Sequence, residues 1–127
     1  MTSHFAFTKL VVDDLDTQAE FYTTVFGQVV KHRFSGGEGD GAFEEVVLAP
    51  ADGEGTSLLL IRYNHKAPQP GEAVLGFAVT DVDEAVRAAL AAGGVVRSEP
   101  KSLPHQAVRV AEIADPERHR LELVQQL

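Results

Sequence analysis

Laid against itself at an offset of 67 residues, the sequence repeats. LVVDDLDTQAEFYTTVFGQVV, Leu10 to Val30, lies over FAVTDVDEAVRAALAAGGVVR, Phe77 to Arg97, without a gap. Val12 falls on Val79, Asp14 on Asp81, Asp16 on Asp83, Gly27 on Gly94 and Val29 on Val96. Self-similarity at a fixed spacing means that one supersecondary unit is used twice, which excludes most single-pass folds before any local pattern is considered.

Each copy has the same local grammar. A β-rich run, Phe5 to Val12 or Val74 to Val79, meets an aspartate placed to cap a helix. Asp81 is followed three residues on by Glu84, the spacing of a capping box, whereas Asp14 is followed by Thr17, so the second cap is expected to be the stronger. Leu15, Ala19, Tyr22 and Phe26 then form one apolar helical face, and Val82, Val86 and Leu90 the other. Gly27 and Gly94 are expected to end the helices, since glycine readily takes the left-handed conformation of a helix C-terminus.

After each helix the pattern becomes extended. Strands are predicted at 29–34, 42–48 and 56–63, and again at 95–98, 107–114 and 119–124, with the turn-rich segments SGGEGDG, APADGEG, EPKSLP and DPER between them. The fold class is therefore α+β: two βαβββ modules, 1–64 and 74–127, joined by a linker at 65–73 in one domain spanning 1–127. A four-stranded sheet covered by one helix leaves its other face to its twin, so the two mixed sheets are expected to form a cup. A ferredoxin-like α+β fold is the competing arrangement; three consecutive strands after each helix argue against it.

Composition narrows the function. Eleven basic and nineteen acidic side chains give a formal charge of −8, which repels nucleic-acid backbones and anionic membranes. Cysteine is absent, so disulfides, thiolate nucleophiles and Cys-based zinc sites are excluded. No signal-peptide pattern opens the sequence and no apolar run approaches the length of a membrane span, so a cytoplasmic location is expected. SGGEGDG is acidic and lacks the strand-to-helix setting of a phosphate loop.

Three stretches carry a family resemblance: LVVDDLDTQAEFYTTVFGQVV, GFAVTDVDEAVRAALAAGG and IADPERHRLELV. Together, in this order, they resemble the vicinal oxygen chelate superfamily, the glyoxalase, bleomycin-resistance and extradiol-dioxygenase group, over essentially the whole chain. One departure is Arg118, which stands in the Asp-Pro turn where the family usually has glycine, so the turn must avoid or tolerate a positive φ.

The resemblance implies a divalent metal held by His and Glu side chains pointing into the cup, with a His in the first strand of each module and an acid in the last. Here the first-strand positions are Phe7 and Val74, the acidic position of module one is Leu60, and only Glu122 matches. One carboxylate does not make a metal site, so no metal and no cofactor are expected.

Strand parity gives the inward face as Phe5, Phe7 and Lys9; Leu58, Leu60 and Arg62; Val74, Gly76 and Ala78; and Arg120, Glu122 and Val124. Glu122 in that apolar setting is expected to pair with Arg62, Lys9 or Arg120, or to shift toward its neutral form. His105, in the SLPHQ loop, is a candidate ligand contact. His4, His32, His65 and His119 read as solvated surface residues.

The function expected from these residues and the resemblance is binding of a small, largely apolar molecule in the cup without a metal. The alternatives are a lyase, isomerase or dioxygenase-type enzyme using Glu122 or an unrecognised metal site, and a scaffold with a collapsed cup. A homodimer is expected because the family often completes its cups across a two-fold axis. Titration of the purified apo protein with nickel, zinc or manganese should give no tight one-to-one complex; a tight complex abolished by Glu122→Ala would overturn the metal-free reading.

Overall fold

The computed structural model describes residues 5–53, 55–65, 69, 71 and 73–127; His4 and positions 66–68, 70 and 72 of the expected linker lie outside them. The element order is β1 (Phe7–Val11), α1 (Leu15–Phe26), β2 (Gln28–Gly36), β3 (Phe43–Pro50), β4 (Ser57–Tyr63), β5 (Val74–Ala78), α2 (Val82–Ala91), β6 (Val95–Leu103), β7 (Val108–Ala114) and β8 (Arg120–Gln126). The β-α-β-β-β order read from the repeat is thus borne out in both copies. The strands form two four-stranded sheets, ordered β1-β4-β3-β2 and β5-β8-β7-β6. In each, the first strand pairs in parallel with the last, and the remaining pairings are antiparallel.

Two compact units result: Met1–Thr23 with Gly27–Gln69, and Thr24–Phe26 with Pro70–Leu127. Within the second, Phe26 stacks on Phe77 with ring centroids 4.0 Å apart. No helix among the described residues is long and apolar enough to cross a membrane.

Local chemistry explains where the helices begin. The Asp14 carboxylate accepts from both the N–H and the hydroxyl of Thr17, at 3.0 and 2.8 Å. These bonds hold its pKa below the ordinary aspartate value, the backbone donor contributing most. Asp81 accepts from the Glu84 N–H at 3.1 Å. The two-bond cap therefore belongs to the first helix, contrary to the expectation from Glu84, because a short Thr hydroxyl at this position folds back onto the capping carboxylate. At the second helix a remote side chain helps: Gln125 Oε1 accepts from the Val82 N–H at 2.8 Å, satisfying one of the donors a helix start leaves open.

Gly27 ends α1 at φ 64°, as expected. At α2 the left-handed residue is Gly93, at φ 96°, rather than Gly94. Gly93 and Gly94 donate to the carbonyls of Leu90 and Ala89 at 3.3 and 2.8 Å. That double bond pattern needs the positive φ one residue earlier than the repeat alignment implies.

The buried apolar residues include Leu15, Ala19, Phe21 and Tyr22 of α1, and Leu10, Val12, Val46, Leu48, Leu58 and Leu60 of the first unit's strands. In the second unit α2 packs on β6, β7 and β8, burying Val82, Ala85, Val86 and Ala89 with Ile113, Leu121 and Leu123. Leu90, expected on that apolar face, is 51% exposed. The small residues Ala85 and Ala89 are buried in its stead. A bidentate contact of Arg109 with Asp83, at 2.8 and 3.0 Å, ties α2 to β7.

The turn before β8 aims the strand that carries Glu122. Asp115, 2% exposed, accepts from the N–H groups of Glu117 and His119, each at 2.9 Å, and its second oxygen lies 2.8 Å from His119 Nδ1. His119 is thus a half-buried partner of this turn, with its side chain 10% exposed, and not a solvated residue. The turn takes the positive φ at Arg118, at 77°. Asp115→Ala would strand two part-buried N–H groups and is expected to cost about 2 kcal/mol, read as a lower urea midpoint with an unchanged m-value.

Candidate functional site

The pairing register decides which side chains share a face, because directly paired residues point to the same side of a sheet. In the second sheet Val74 pairs with Arg120, Gly76 with Glu122 and Ala78 with Val124, and across β7 Glu112 pairs with Glu122 and Val110 with Val124. The parity expected for β5 and β8 holds. These residues lie on the face opposite Leu121 and Leu123, which are buried against α2.

On that open face is a hollow of about 330 Å³. Val74 and Val110 supply its apolar side chains, and Ser98, Glu99, Lys101, Glu112, Arg120 and Glu122 its polar groups; Ala111 also borders it, although its pairing with Leu123 turns its side chain to the core face. Three of the residues predicted from sequence, Val74, Arg120 and Glu122, are brought together here. Gly76 pairs with Glu122 on the same face. His105 is not among the lining residues; it is exposed in a short 3-10 turn, Pro104–Gln106.

Charge in the hollow is partly settled within it. Arg120 Nε donates to Glu112 Oε1 at 2.6 Å, and that bond holds the Glu112 carboxyl below its ordinary value near 4.5, against the opposing effect of burial. Lys9 is committed to Glu45 and Arg62 to the Asp13 carbonyl. None of the three cations expected to meet Glu122 is bonded to it. Glu122 is exposed, so no salt bridge is needed to keep it on this face.

The first sheet corrects the sequence reading. Phe7 pairs with Ser57, Lys9 with Leu59 and Leu10 with Leu60. Leu58 and Leu60 therefore share the core face with Leu10, Leu60 being completely buried, and Arg62 lies on that side too. Phe7, 51% exposed, shares the opposite face with Lys9 and Leu59; Phe5 precedes β1 and is exposed. The error came from SLLLIRY, where an unbroken apolar run hides the period of two. Through Gly76, which repeats Lys9, the position matching Glu122 is Leu59, not Leu60.

This open face also carries groups the sequence reading passed over. Glu45 pairs with Phe34 on one side and Ile61 on the other. It is 3% exposed, and its Oε1 lies 2.7 Å from Lys9 Nζ. Counting by twos along β3 from Phe43 would have found it. In the second sheet Glu99 and Lys101 were missed because Pro100 made EPKSLP read as a loop, whereas β6 continues to Leu103 with irregular pairing to β7 between Val96 and Lys101; Ser98, at the end of the predicted strand, was not singled out.

A profile of the Glyoxalase/Bleomycin resistance protein/Dioxygenase superfamily matches residues 3–123. The chain belongs to this superfamily. A glyoxalase family protein from Bacillus cereus has a similar fold, with a TM-score of 0.83 at 19% identity over 100% of this chain and 96% of that one. A glyoxylase/bleomycin resistance protein/dioxygenase domain from Frankia sp. EAN1pec gives 0.75 at 20% identity, covering 100% of both. A glyoxalase I mutant from Zea mays gives 0.75 at 21% identity over 94% of this chain but 46% of the maize chain, so the present chain spans about half its length. No curated protein matches the sequence.

Superfamily membership raises the question of a metal. Among the described residues no group of three or more His, Cys, Asp or Glu side chains stands where it could hold one ion. Around Glu122 the first-strand neighbours are Val74 and Gly76, which offer no side-chain lone pairs, and Glu112 is bonded to Arg120. This donor set does not fit a family-type divalent centre.

The Glu112–Arg120 pair gives the site a pH signature. Because the folded carboxyl has the lower pKa, its stabilisation is fully present above the unfolded value near 4.5 and is lost as pH falls through the folded value. Arg120→Gln should therefore cost about 0.5–1 kcal/mol at neutral pH. In urea titrations at a series of pH values the difference from wild type should shrink toward zero as pH falls from the unfolded value near 4.5 through the lower folded one.

Proposed function

We propose that the chain binds a small, largely apolar molecule bearing a positive charge in the hollow of the second sheet, without help from a metal. The observation that carries this reading is the hollow itself. Its size suits a small organic molecule, the side chains of Val74 and Val110 form its apolar floor, and an exposed carboxylate, Glu122, stands at its wall with no ion-pair partner among the described residues.

The preference for a cation follows from charge. Glu99, Glu112 and Glu122 outnumber Lys101 and Arg120 in the lining, and Arg120 is already engaged by Glu112. An anion entering the hollow would meet surplus negative charge, within a chain of net charge −8. Catalysis by Glu122 as an acid or base is less well supported, since a positioned proton-transfer group is normally held by a neighbour that orients it, and Glu122 has no such neighbour among the described residues. Within the superfamily, this favours the reading of a binder over that of a glyoxalase-type enzyme.

Calorimetric titration tests this with two probes of equal length, hexylammonium and 1-hexanol. The ammonium should bind roughly tenfold tighter, a difference of about 1.4 kcal/mol, and Glu122→Gln should bring it to the level of the alcohol. Val74→Arg, which fills the floor, should abolish binding of both. Equal affinities for the two probes in the unmodified protein would rule out Glu122 as the anchor.

A further inference from the structure

We infer that the open face of the first sheet is a second binding site, built for an arylammonium ion, with Lys9 as its tethered occupant. The inference is independent of the hollow in the second sheet, since every residue it uses belongs to the first compact unit.

Three observations converge on Glu45. The first is the row of rings around it. His32 and Phe34 have centroids 5.4 Å apart, Phe34 and Phe43 6.1 Å, and Phe43 and Tyr63 6.4 Å. The register puts all four on the same face as Glu45: Phe34 is its direct cross-strand partner, Phe43 lies two residues before it, Tyr63 pairs with Phe43, and His32 pairs with Val47. Phe43 lies over Gly36, whose missing side chain makes room for the ring: a Cβ there would come within 2.9 Å of Phe43 Cζ. Phe34 remains 38% exposed and so offers an open ring edge or face to a solute.

The second observation is the state of the carboxylate. Its side chain is 4% exposed, and a buried carboxylate demands a cation or several donors. Its counter-ion is Lys9, but the 2.7 Å contact is poorly directed and leaves Oε1 without a hydrogen bond. The third is Lys9 itself, whose ammonium also lies 5.9 Å from the centre of the Phe7 ring and whose side chain is 38% exposed. The lysine thus places a cation beside a buried carboxylate on an aromatic face, from a flexible four-carbon stem with an open path back to water.

A ligand ammonium can replace that cation, and an attached ring adds what lysine lacks, a flat apolar surface to lie against Phe34 and Phe43. Lys9 would swing into solvent as the ligand entered. An anionic aromatic is excluded by Glu45, and a neutral one would leave the carboxylate dependent on Lys9 and compete with its stem for space.

The test uses 1-naphthylmethylammonium, whose fluorescence can be excited without interference because the protein has no tryptophan. Comparison with 1-naphthalenemethanol and 1-naphthoate is made on the full chain carrying Glu122→Gln, which silences the proposed anchor in the second sheet. The ammonium should bind at least tenfold more tightly than the alcohol, and the naphthoate should not bind measurably. Adding Phe34→Ala should weaken the ammonium about fivefold, and Glu45→Gln should remove its advantage over the alcohol. Because a change at buried Glu45 can disturb folding, Lys9→Met is the second route. It removes the tethered cation, so affinity for the ammonium should rise about tenfold and added ammonium should raise the melting temperature more than in the parent. The inference is overturned if alcohol and ammonium bind equally, if Phe34→Ala and Lys9→Met leave ammonium affinity unchanged, or if binding is seen with Glu122 intact but vanishes in the Glu122→Gln background.

Discussion

The parallel pairing of each repeat's first strand with its last is the constraint on which the rest depends. Phe7 must meet Ser57, and Val74 must meet Arg120, only after a helix and two antiparallel strands have been laid down between them. Such a crossover brings the helix over one face of the sheet and leaves the other open. A slip of one residue in that pairing would send Leu60 to the open face and Leu59 to the core, and would reverse Glu122 with Leu121 or Leu123. The register is held because the core face is dense with aliphatic side chains, Leu10, Leu58, Leu60, Leu121 and Leu123 among them, whereas the open faces carry Lys9, Glu45, Glu112, Arg120 and Glu122 together with Phe7, Phe34, Phe43 and Tyr63.

The same constraint separates what could be read from the sequence from what could not. The repeat, the two capping aspartates, the three strands after each helix and the superfamily are all legible, because periodicity and capping are local signals and the offset ties them together. In β5 and β8 parity is legible as well: polar and apolar residues alternate in RLELV, and one phase plainly belongs to the core. In SLLLIRY they do not alternate, so the face of each leucine is decided by β1, some 50 residues away in sequence, through the pairing of Lys9 with Leu59. His119 was misread for a related reason. Nothing beside it in the sequence says that Asp115 turns inward, since that depends on the Asp-Pro turn closing with Arg118 at positive φ. Pro100 misled in the opposite sense. It breaks a regular ladder, but β6 absorbs it at a stretch of irregular pairing and continues.

Repetition also allows the chemistry of the two open faces to be compared position by position. Phe7 matches Val74 and Lys9 matches Gly76 through the offset, and the registers then match Leu59 with Glu122, Val47 with Glu112 and Glu45 with Val110. An acid in β3 of the first repeat therefore stands one rung along from the acid in β7 of the second. Each has acquired its own cation, Lys9 for Glu45 and Arg120 for Glu112. Superfamily membership fixes the frame that both sheets share; it does not fix which rung bears a carboxylate.

That difference explains why the two faces differ in character. In the second sheet two glutamates are directly opposed across β7 and β8, an arrangement that is unfavourable when both are charged. Arg120, on the same face and 2.6 Å from Glu112, neutralises one of the pair and leaves Glu122 as the surplus charge beside an apolar floor. In the first sheet the acid faces Phe34 and Ile61 instead of another acid; repulsion is absent, the carboxylate can be buried, and its cation must come from two strands away. The two open faces thus hold carboxylates in opposite states. One is buried and held by a lysine. The other is exposed, with its nearest arginine already committed, which makes it the group on these faces with the most to gain from an incoming cation.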